Sequence, residues 1–339
     1  MKLVTFIKDN EIPALGALLK GGKQIADLQA GATAKSGKPN PYLVSMIEYV
    51  RGGRHAFDAA QEALEYIVSN LPANTLLPIT DVKMRAPLPV PESIRACMAF
   101  EEHIINCTRT VGLGKKAFID EAIEKYFGRK YSLAYRANKA WYERPVYYKS
   151  NRFSVVGHGA KIRTPSYCTV LDYELEWGVV IGKTGKDIKA KDARNYIAGY
   201  TIFNDFSARN IQKQEMPGRL GPAKGKDFDT GNAIGPCLVT PDEIENPYDL
   251  EMTATINGEQ WSKGNSRDMY WTFEQIIEYI SQSETLYPGE FISSGTCSGK
   301  EGKGCGLEHG KFLKPGDVVE LYVQNIGTLR NEIAIARSE

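Results

Sequence analysis

The sequence predicts an α+β fold, rich in strands, with a small N-terminal domain ahead of a larger one. Three observations predict it. The chain has 339 residues, about two domains at roughly 100–200 residues each. Alternating apolar runs dominate from Arg144 to Val239 and return in GEFISSGT and DVVELYVQNIGTLRNEI, which is strand periodicity. Helical spacing is confined to a few separate segments. The 42% apolar content supplies a full core and excludes a disordered chain or a short disulfide-stapled one.

Taken in order, residues 1–31 alternate short apolar runs with turns such as Lys20-Gly21-Gly22, the pattern of a small antiparallel sheet with an N-terminal hairpin. Leu43–Val68 shifts to helical spacing, with Leu43, Met46, Ile47 and Val50 on one face. The following stretch, LPANTLLPITDVKMRAPLPVPESI, holds five prolines in 24 residues and reads as a linker or edge strands, since proline removes backbone donors. A boundary near residue 90 divides an N-terminal domain, 1–88, from a second, 89–339. Within the latter, residues 104–140 carry a helical AFIDEAIEKYF amid lysines and arginines, either a solvated helix pair or a lid over a site. A further helix is expected at 272–283, where Thr272 and Gln275 have capping-box spacing.

With 42 Lys+Arg against 41 Asp+Glu the net charge is +1, so no strong field would hold the protein on nucleic acid or a membrane surface. Six cysteines without CxxC spacing read as reduced, which points to the cytoplasm. No signal-peptide pattern and no 18-residue apolar run is present, so a soluble protein is expected.

Candidate chemistry starts at Asp172-Tyr173-Glu174-Leu175-Glu176. Strand alternation would project the three acids to one side, Glu174 and Glu176 about 7 Å apart. Taken alone, such a pattern is more often an outward, solvated strand. Its apolar continuation, VVIGK, and a third acid, Asp205 inside GYTIFNDFSARN, argue for burial and hence for a compensating cation. Glu174, Glu176 and Asp205 offer only hard oxygen donors, which suit Mg²⁺, or Mn²⁺ or Ca²⁺, and not zinc.

Of four histidines, His55 reads as surface, while His158 and His309 sit beside glycine turns where the ring can face water. His103 follows Glu101 and Glu102, which could orient its ring, although an ordinary turn histidine is the blander reading. As a base it would titrate near the usual histidine value, about 6–7. Arg209 and Gln212 would share a helix face after Asp205; Lys226 and Thr230 stand four apart in GPAKGKDFDTGN; Thr296 follows Gly295 in a glycine-rich loop suited to anions. Each could also be a solvated loop residue.

In this order, PLPVPESIRACMAF…H, YYKSNRFSVVGHGAKI, LDYELEWGVVIGK, GYTIFNDFSARNIQ, GPAKGKDFDTGNAIGPCLVT, SGTCSGKEGKGCGLE and FLKPGDVVELYVQNIGTLRN resemble the fumarylacetoacetate hydrolase family, from about Pro87 to Asn331. The resemblance implies a mixed β-sandwich roll around a divalent metal, a small N-terminal domain and a homodimer. It implies that Glu174, Glu176 and Asp205 hold the metal, that His103 is a general base assisted by Glu308, that Lys226 stabilises developing charge, and that Arg209, Gln212, Thr230 and Thr296 hold substrate oxygens. Two departures stand out. The hydrolases' further carboxylate, seven residues before the histidine, falls at Ala96, leaving Glu101 as a substitute; and Asn106 occupies the position of a glutamate in the decarboxylases and tautomerases. The expected activity is metal-dependent hydrolysis of a carbon–carbon bond in a small 1,3-diketo or 2,4-dioxo acid. The alternatives are a 2-oxo acid decarboxylase, tautomerase or hydratase on the same scaffold, or a non-catalytic binding protein.

Overall fold

A computed structural model describes residues 1–8 and 12–335. A twelve-stranded mixed sheet runs through it. Ten of its strands lie side by side in the order Leu76–Pro78, Gln24–Asp27, Pro13–Leu19, Lys2–Ile7, Asn232–Val239, Ile197–Asp205, Leu175–Ile181, Phe291–Ser293, Ile94–Cys97 and Tyr147–Ser150. Most neighbours are antiparallel, but Phe291–Ser293 runs parallel to Ile94–Cys97. A five-stranded sheet orders Glu259–Asn265, Glu251–Ile256, Val318–Val323, Gly327–Ile335 and Lys161–Thr164. Trp177 and Ile202 from the first sheet share one buried core with Met252, Leu321 and Ile333 from the second, the mixed two-sheet roll expected from the sequence.

The N-terminal strands are hydrogen-bonded into the large sheet, with Leu3 opposite Leu238, while the turn between the first two strands lies outside the described residues. The Met46–Asn70 helix forms because Ser45 caps Glu48 N and apolar residues recur on one face. That face covers Val180, Phe203, Leu238 and Phe291 of the large sheet. Alternation puts Glu176 on the same side of its strand as Val180, so one face of the sheet is apolar at one end and acidic at the other. The capping box at Thr272 and Gln275 is formed and starts the Phe273–Ser281 helix.

The sequence around 104–140 is helical, and Ala117–Phe127 coincides with AFIDEAIEKYF. Buried Asp120 ties the insertion together: it pairs with Arg109 at 2.9 Å and accepts from the backbone of Leu133 and Ala134. Trp141 Nε1 donates to Met98 O at 2.6 Å and pins the far end beside the sheet. Phe118, Tyr126 and Phe127 on its outer surface are exposed.

Candidate active site: a carboxylate cluster beside a histidine–glutamate pair

Glu174, Glu176 and Asp205 are buried, and their carboxylates converge, each offering an oxygen within 4.8 Å of the others. Two strands bring them together: Glu176 stands opposite Phe203 in the register of Leu175–Ile181 with Ile197–Asp205, which ends at Asp205. Gly295 N donates to Glu176 Oε2 at 3.1 Å. This loop needs glycine, because Gly295 has φ +74° and a Cβ would come within 2.4 Å of Cys97 O.

Two buried cations partly neutralise the cluster. Lys226 Nζ lies 2.9 Å from Glu174 Oε2 and 3.1 Å from Asp205 Oδ2. Arg209 Nη2 lies 2.8 Å from Glu174 Oε1 and 2.7 Å from Asp172 Oδ2. Asp172 therefore does not join the other acids despite the alternation of DYELE. It binds Arg209 and accepts from Gly306 N and Leu307 N, at 2.7 and 2.9 Å.

Burial alone would raise Glu174, but Lys226 and Arg209 outweigh it and hold this carboxylate well below the usual range. Glu176 goes the other way, lifted by burial and by the charges of Glu174 and Asp205. Burial raises Asp205 to about 6 against the pull of Lys226. Asp205 Oδ1 is buried without a hydrogen-bond partner. An orphan anionic oxygen and two carboxylates pushed towards protonation mark a shortage of positive charge. The all-oxygen donor set fits a hard divalent cation.

His103 is buried in the Glu101–Cys107 helix, and its Nδ1 lies 2.8 Å from Glu308 Oε1. Glu308 also accepts from Ser298 Oγ at 2.6 Å and Asn106 Nδ2 at 2.7 Å. The Gly306 and Leu307 bonds to Asp172 fix the short turn that carries Glu308, and Gly306 itself must be small, since a Cβ would lie 2.3 Å from Asp172 Oδ1. Burial would lower the His103 pKa, yet Cys107 and Glu308 outweigh it and hold it well above the ordinary value, not at the 6–7 expected from an isolated ring. Burial would raise Glu308, and His103 keeps it low instead.

Glu101 and Glu102 do not orient His103. Both pair with Arg129, at 3.1 and 2.6 Å, and Glu101 accepts from Tyr142 OH at 2.8 Å, so neither stands in for a carboxylate at position 96. Ala96 faces Tyr148 in strand register, and the Tyr148 hydroxyl donates to Asp205 Oδ2. Arg209 Nη1 donates to Gln212 Oε1 at 2.8 Å, leaving the Gln212 amide as a donor. Thr296 is buried with an unpartnered hydroxyl. The Thr230 hydroxyl accepts from Arg163 N at 2.9 Å, which leaves its own proton to donate. His158 and His309 are half-buried and bonded, to Thr328 O and to the Tyr173 hydroxyl, instead of facing water.

Tyr148 is the functional candidate that sequence reasoning overlooked, although it lies inside YYKSNRF; its contact with Asp205 depends on two separate strands. A second cleft, lined by Arg51, Glu92, Arg95, Glu284 and Glu290, is self-neutralising through the Arg51–Glu92 pair at 2.9 Å and the contacts of Arg95 with Glu284 and Glu290.

The chain belongs to the fumarylacetoacetate hydrolase family: the pattern of the fumarylacetoacetate (FAA) hydrolase C-terminal domain matches residues 117–334. It is 33% identical over 256 residues to oxaloacetate tautomerase YisK of Bacillus subtilis (strain 168), covering 75% of this chain and 74% of that one. It is 38% identical over 191 residues to 2,4-didehydro-3-deoxy-L-rhamnonate hydrolase of Sphingomonas sp. (strain SKA58), covering 56% and 65%. Maleylpyruvate hydrolase from Sphingobium sp. SYK-6, solved with manganese(II) and pyruvate, shares the fold with a TM-score of 0.69 at 21% identity, over 99% of this chain and 100% of that one. Family members are thus hydrolases and tautomerases. Among the described residues no helix is long and apolar enough to cross a membrane.

Proposed function

We propose that the chain is a divalent-metal-dependent enzyme that moves a proton between carbon and oxygen in a small 2-oxo acid bearing a second carboxylate or carbonyl, so interconverting its keto and enol forms. The observation that carries this reading is the buried His103–Glu308 pair, held at 2.8 Å beside three converging carboxylates that lack a full complement of cations. The tautomerase relative, matched over three-quarters of both chains, supports it.

Glu174, Glu176 and Asp205 would hold the cation, with Mg²⁺ the best fit to hard oxygen donors and Mn²⁺ a substitute. Bound there, the cation supplies Lewis-acid polarisation of the substrate's oxygens. The chain's own groups supply the rest. His103 takes the proton from the carbon between the two acid functions and delivers it to the 2-oxo oxygen as the enol forms, the reverse direction retracing this path, while Glu308 holds the ring and stabilises its charged form. Lys226 and Arg209 keep Glu174 ionised and add positive potential where negative charge develops. The Gln212 amide, the Thr296 hydroxyl and Thr230 are the proposed donors to the substrate's carboxylates. The helical insertion, 104–140, follows His103 directly and is the proposed lid over the 89–339 unit.

A second reading, hydrolysis of a carbon–carbon bond in a 1,3-diketo or 2,4-dioxo acid, is favoured by the same pair, because His103 oriented by Glu308 could equally take a proton from water. The hydrolase relative supports it. The test uses enol-oxaloacetate and an acylpyruvate in ¹⁸O-water with Mg²⁺. Accelerated loss of the enol without label in a new carboxylate is the expected result. Label in a newly formed carboxylate would establish hydrolysis instead, and turnover of neither compound would overturn both readings.

A further inference from the structure

The Tyr148 hydroxyl donates to Asp205 Oδ2 from a distant part of the same sheet. Three strands, Leu175–Ile181, Phe291–Ser293 and Ile94–Cys97, separate Tyr147–Ser150 from Ile197–Asp205 in the strand order. Four strand spacings in a flat sheet would hold the two residues about 19 Å apart, so the bond exists only because the sheet curls round the cluster. The curl is fastened beside it. Buried Asn232 stands opposite Asp205 in strand register, and its Nδ2 donates to Ser150 Oγ at 2.9 Å and to Asn151 O at 3.1 Å. Ser150 is two residues from Tyr148, so alternation puts both on one face of the edge strand. Opposite Tyr148 on the neighbouring strand stands only the methyl of Ala96, so that position sends no longer side chain towards Asp205.

The two oxygens of Asp205 have different surroundings. Oδ2 takes the Tyr148 hydroxyl and lies 3.1 Å from Lys226 Nζ, whereas Oδ1 is buried without a hydrogen-bond partner. This fixes the rotation of the carboxylate and leaves one oxygen for an incoming cation. Charge matters as well. Four buried acids, Asp172, Glu174, Glu176 and Asp205, meet two buried bases, Arg209 and Lys226. When all are ionised, the excess of two negative charges is what one divalent ion cancels. A phenol supplies a hydrogen bond without adding positive charge, so it steers Asp205 and leaves that excess for the ion. A lysine in its place would hold the carboxylate too, but would fill part of the deficit.

We propose that Tyr148 is a positioning residue for the cation: with Lys226 it occupies Asp205 Oδ2, so that Oδ1 is left to the ion, and the affinity for Mg²⁺ depends on its hydroxyl. The inference rests on the reading of Glu174, Glu176 and Asp205 as the cation's ligands. Groups that hold a ligand without touching the metal typically govern about 10–100-fold in affinity.

Mg²⁺ is titrated by calorimetry into the full chain and into Tyr148→Phe, which keeps the ring and loses only the hydroxyl. The dissociation constant is expected to rise about 10–100-fold. The Mg²⁺ concentration that half-activates the enzyme should rise with it, while turnover at saturating Mg²⁺ recovers. Tyr147→Phe, on the opposite face of the same strand, should bind Mg²⁺ as tightly as the unaltered chain. An equal loss of affinity in both variants would mark a general loosening of the strand and overturn the proposal, as would unchanged affinity in Tyr148→Phe. Should Tyr148→Phe fail to fold, 3-fluorotyrosine in place of Tyr148 keeps both ring and hydroxyl, and its ¹⁹F resonance should move as Mg²⁺ is added; a resonance that stays in place overturns the proposal. No binding of Mg²⁺ or Mn²⁺ by the unaltered chain would overturn the cation reading itself, and this inference with it.

Discussion

The carboxylate cluster and the His103–Glu308 pair are buried neighbours, yet they are built to opposite rules. Glu174, Glu176 and Asp205 stand at strand ends, crowd one another, and leave Asp205 Oδ1 without a partner. Glu308 is the reverse: His103, Ser298 and Asn106 all bond to it, and its turn is fastened to Asp172. An anion left short of partners on a rigid sheet asks for a cation from outside. A fully partnered anion serves its neighbour by holding an imidazole in one orientation. The difference separates a place that binds from a place that positions.

The largest test of this contrast is at the cluster. Glu176→Ala or Asp205→Asn should abolish Mg²⁺ binding and, with the loss of several kcal/mol of charge stabilisation, lower turnover by roughly 10²–10³-fold or more. Calorimetry with Mg²⁺ alongside the activity assay checks both; full activity of Glu176→Ala at micromolar Mg²⁺ would erase the distinction. Next, His103→Ala should cost roughly 10²–10⁴-fold in turnover and leave Mg²⁺ affinity intact. Weakened metal binding with normal turnover would turn His103 into a ligand.

Arg209 joins the two regions, since it touches both Asp172 and Glu174. Arg209→Ala strips a buried pair of one partner and should destabilise the fold by about 3–5 kcal/mol, read as a lower denaturation midpoint. A change below about 1 kcal/mol would show that the two regions are not coupled through it.

Proton position gives a smaller effect. Because His103 is held above its ordinary value, activity that needs the neutral ring should rise with pH through an apparent pKa above 6.5. Glu308→Gln removes the opposing charge while burial still disfavours the imidazolium, so this limb should move to lower pH. A profile that stays in place would show that Glu308 does not tune His103. The smallest expected change is in the insertion: amide exchange over 104–140 should slow when a dicarbonyl acid binds, and equal protection with and without it would mark a fixed surface.

Much of this was legible in the sequence where the controlling interactions are local. Alternation through DYELE located Glu174 and Glu176, the apolar setting of NDF located Asp205, and the Thr272–Gln275 spacing located a helix start. Alternation misplaced Asp172, because the strand is interrupted at Tyr173; the other failures share one cause, distance along the chain. Glu101 and Glu102 were the acids nearest His103 in sequence, but side chains one or two positions apart on a helix do not face each other, and both turn to Arg129. Only the resemblance pointed to Glu308, which lies 205 residues away. The Tyr148–Asp205 bond likewise depends on how distant segments pack, on which periodicity is silent.

The seam between the N-terminal segment and the large sheet has a consequence for anyone trimming the chain. Leu3, Met46, Val50 and Ala60 cover Val180, Phe203, Ile234, Leu238 and Phe291, and Phe203 stands two residues from Asp205 on the same strand. A fragment beginning at residue 89 would bare this greasy wall and free the backbone of Leu238 and Val239 to recruit a stranger's strand. Such a fragment should clump instead of working, even though every residue of the carboxylate cluster and of the His103–Glu308 pair would still be encoded in it.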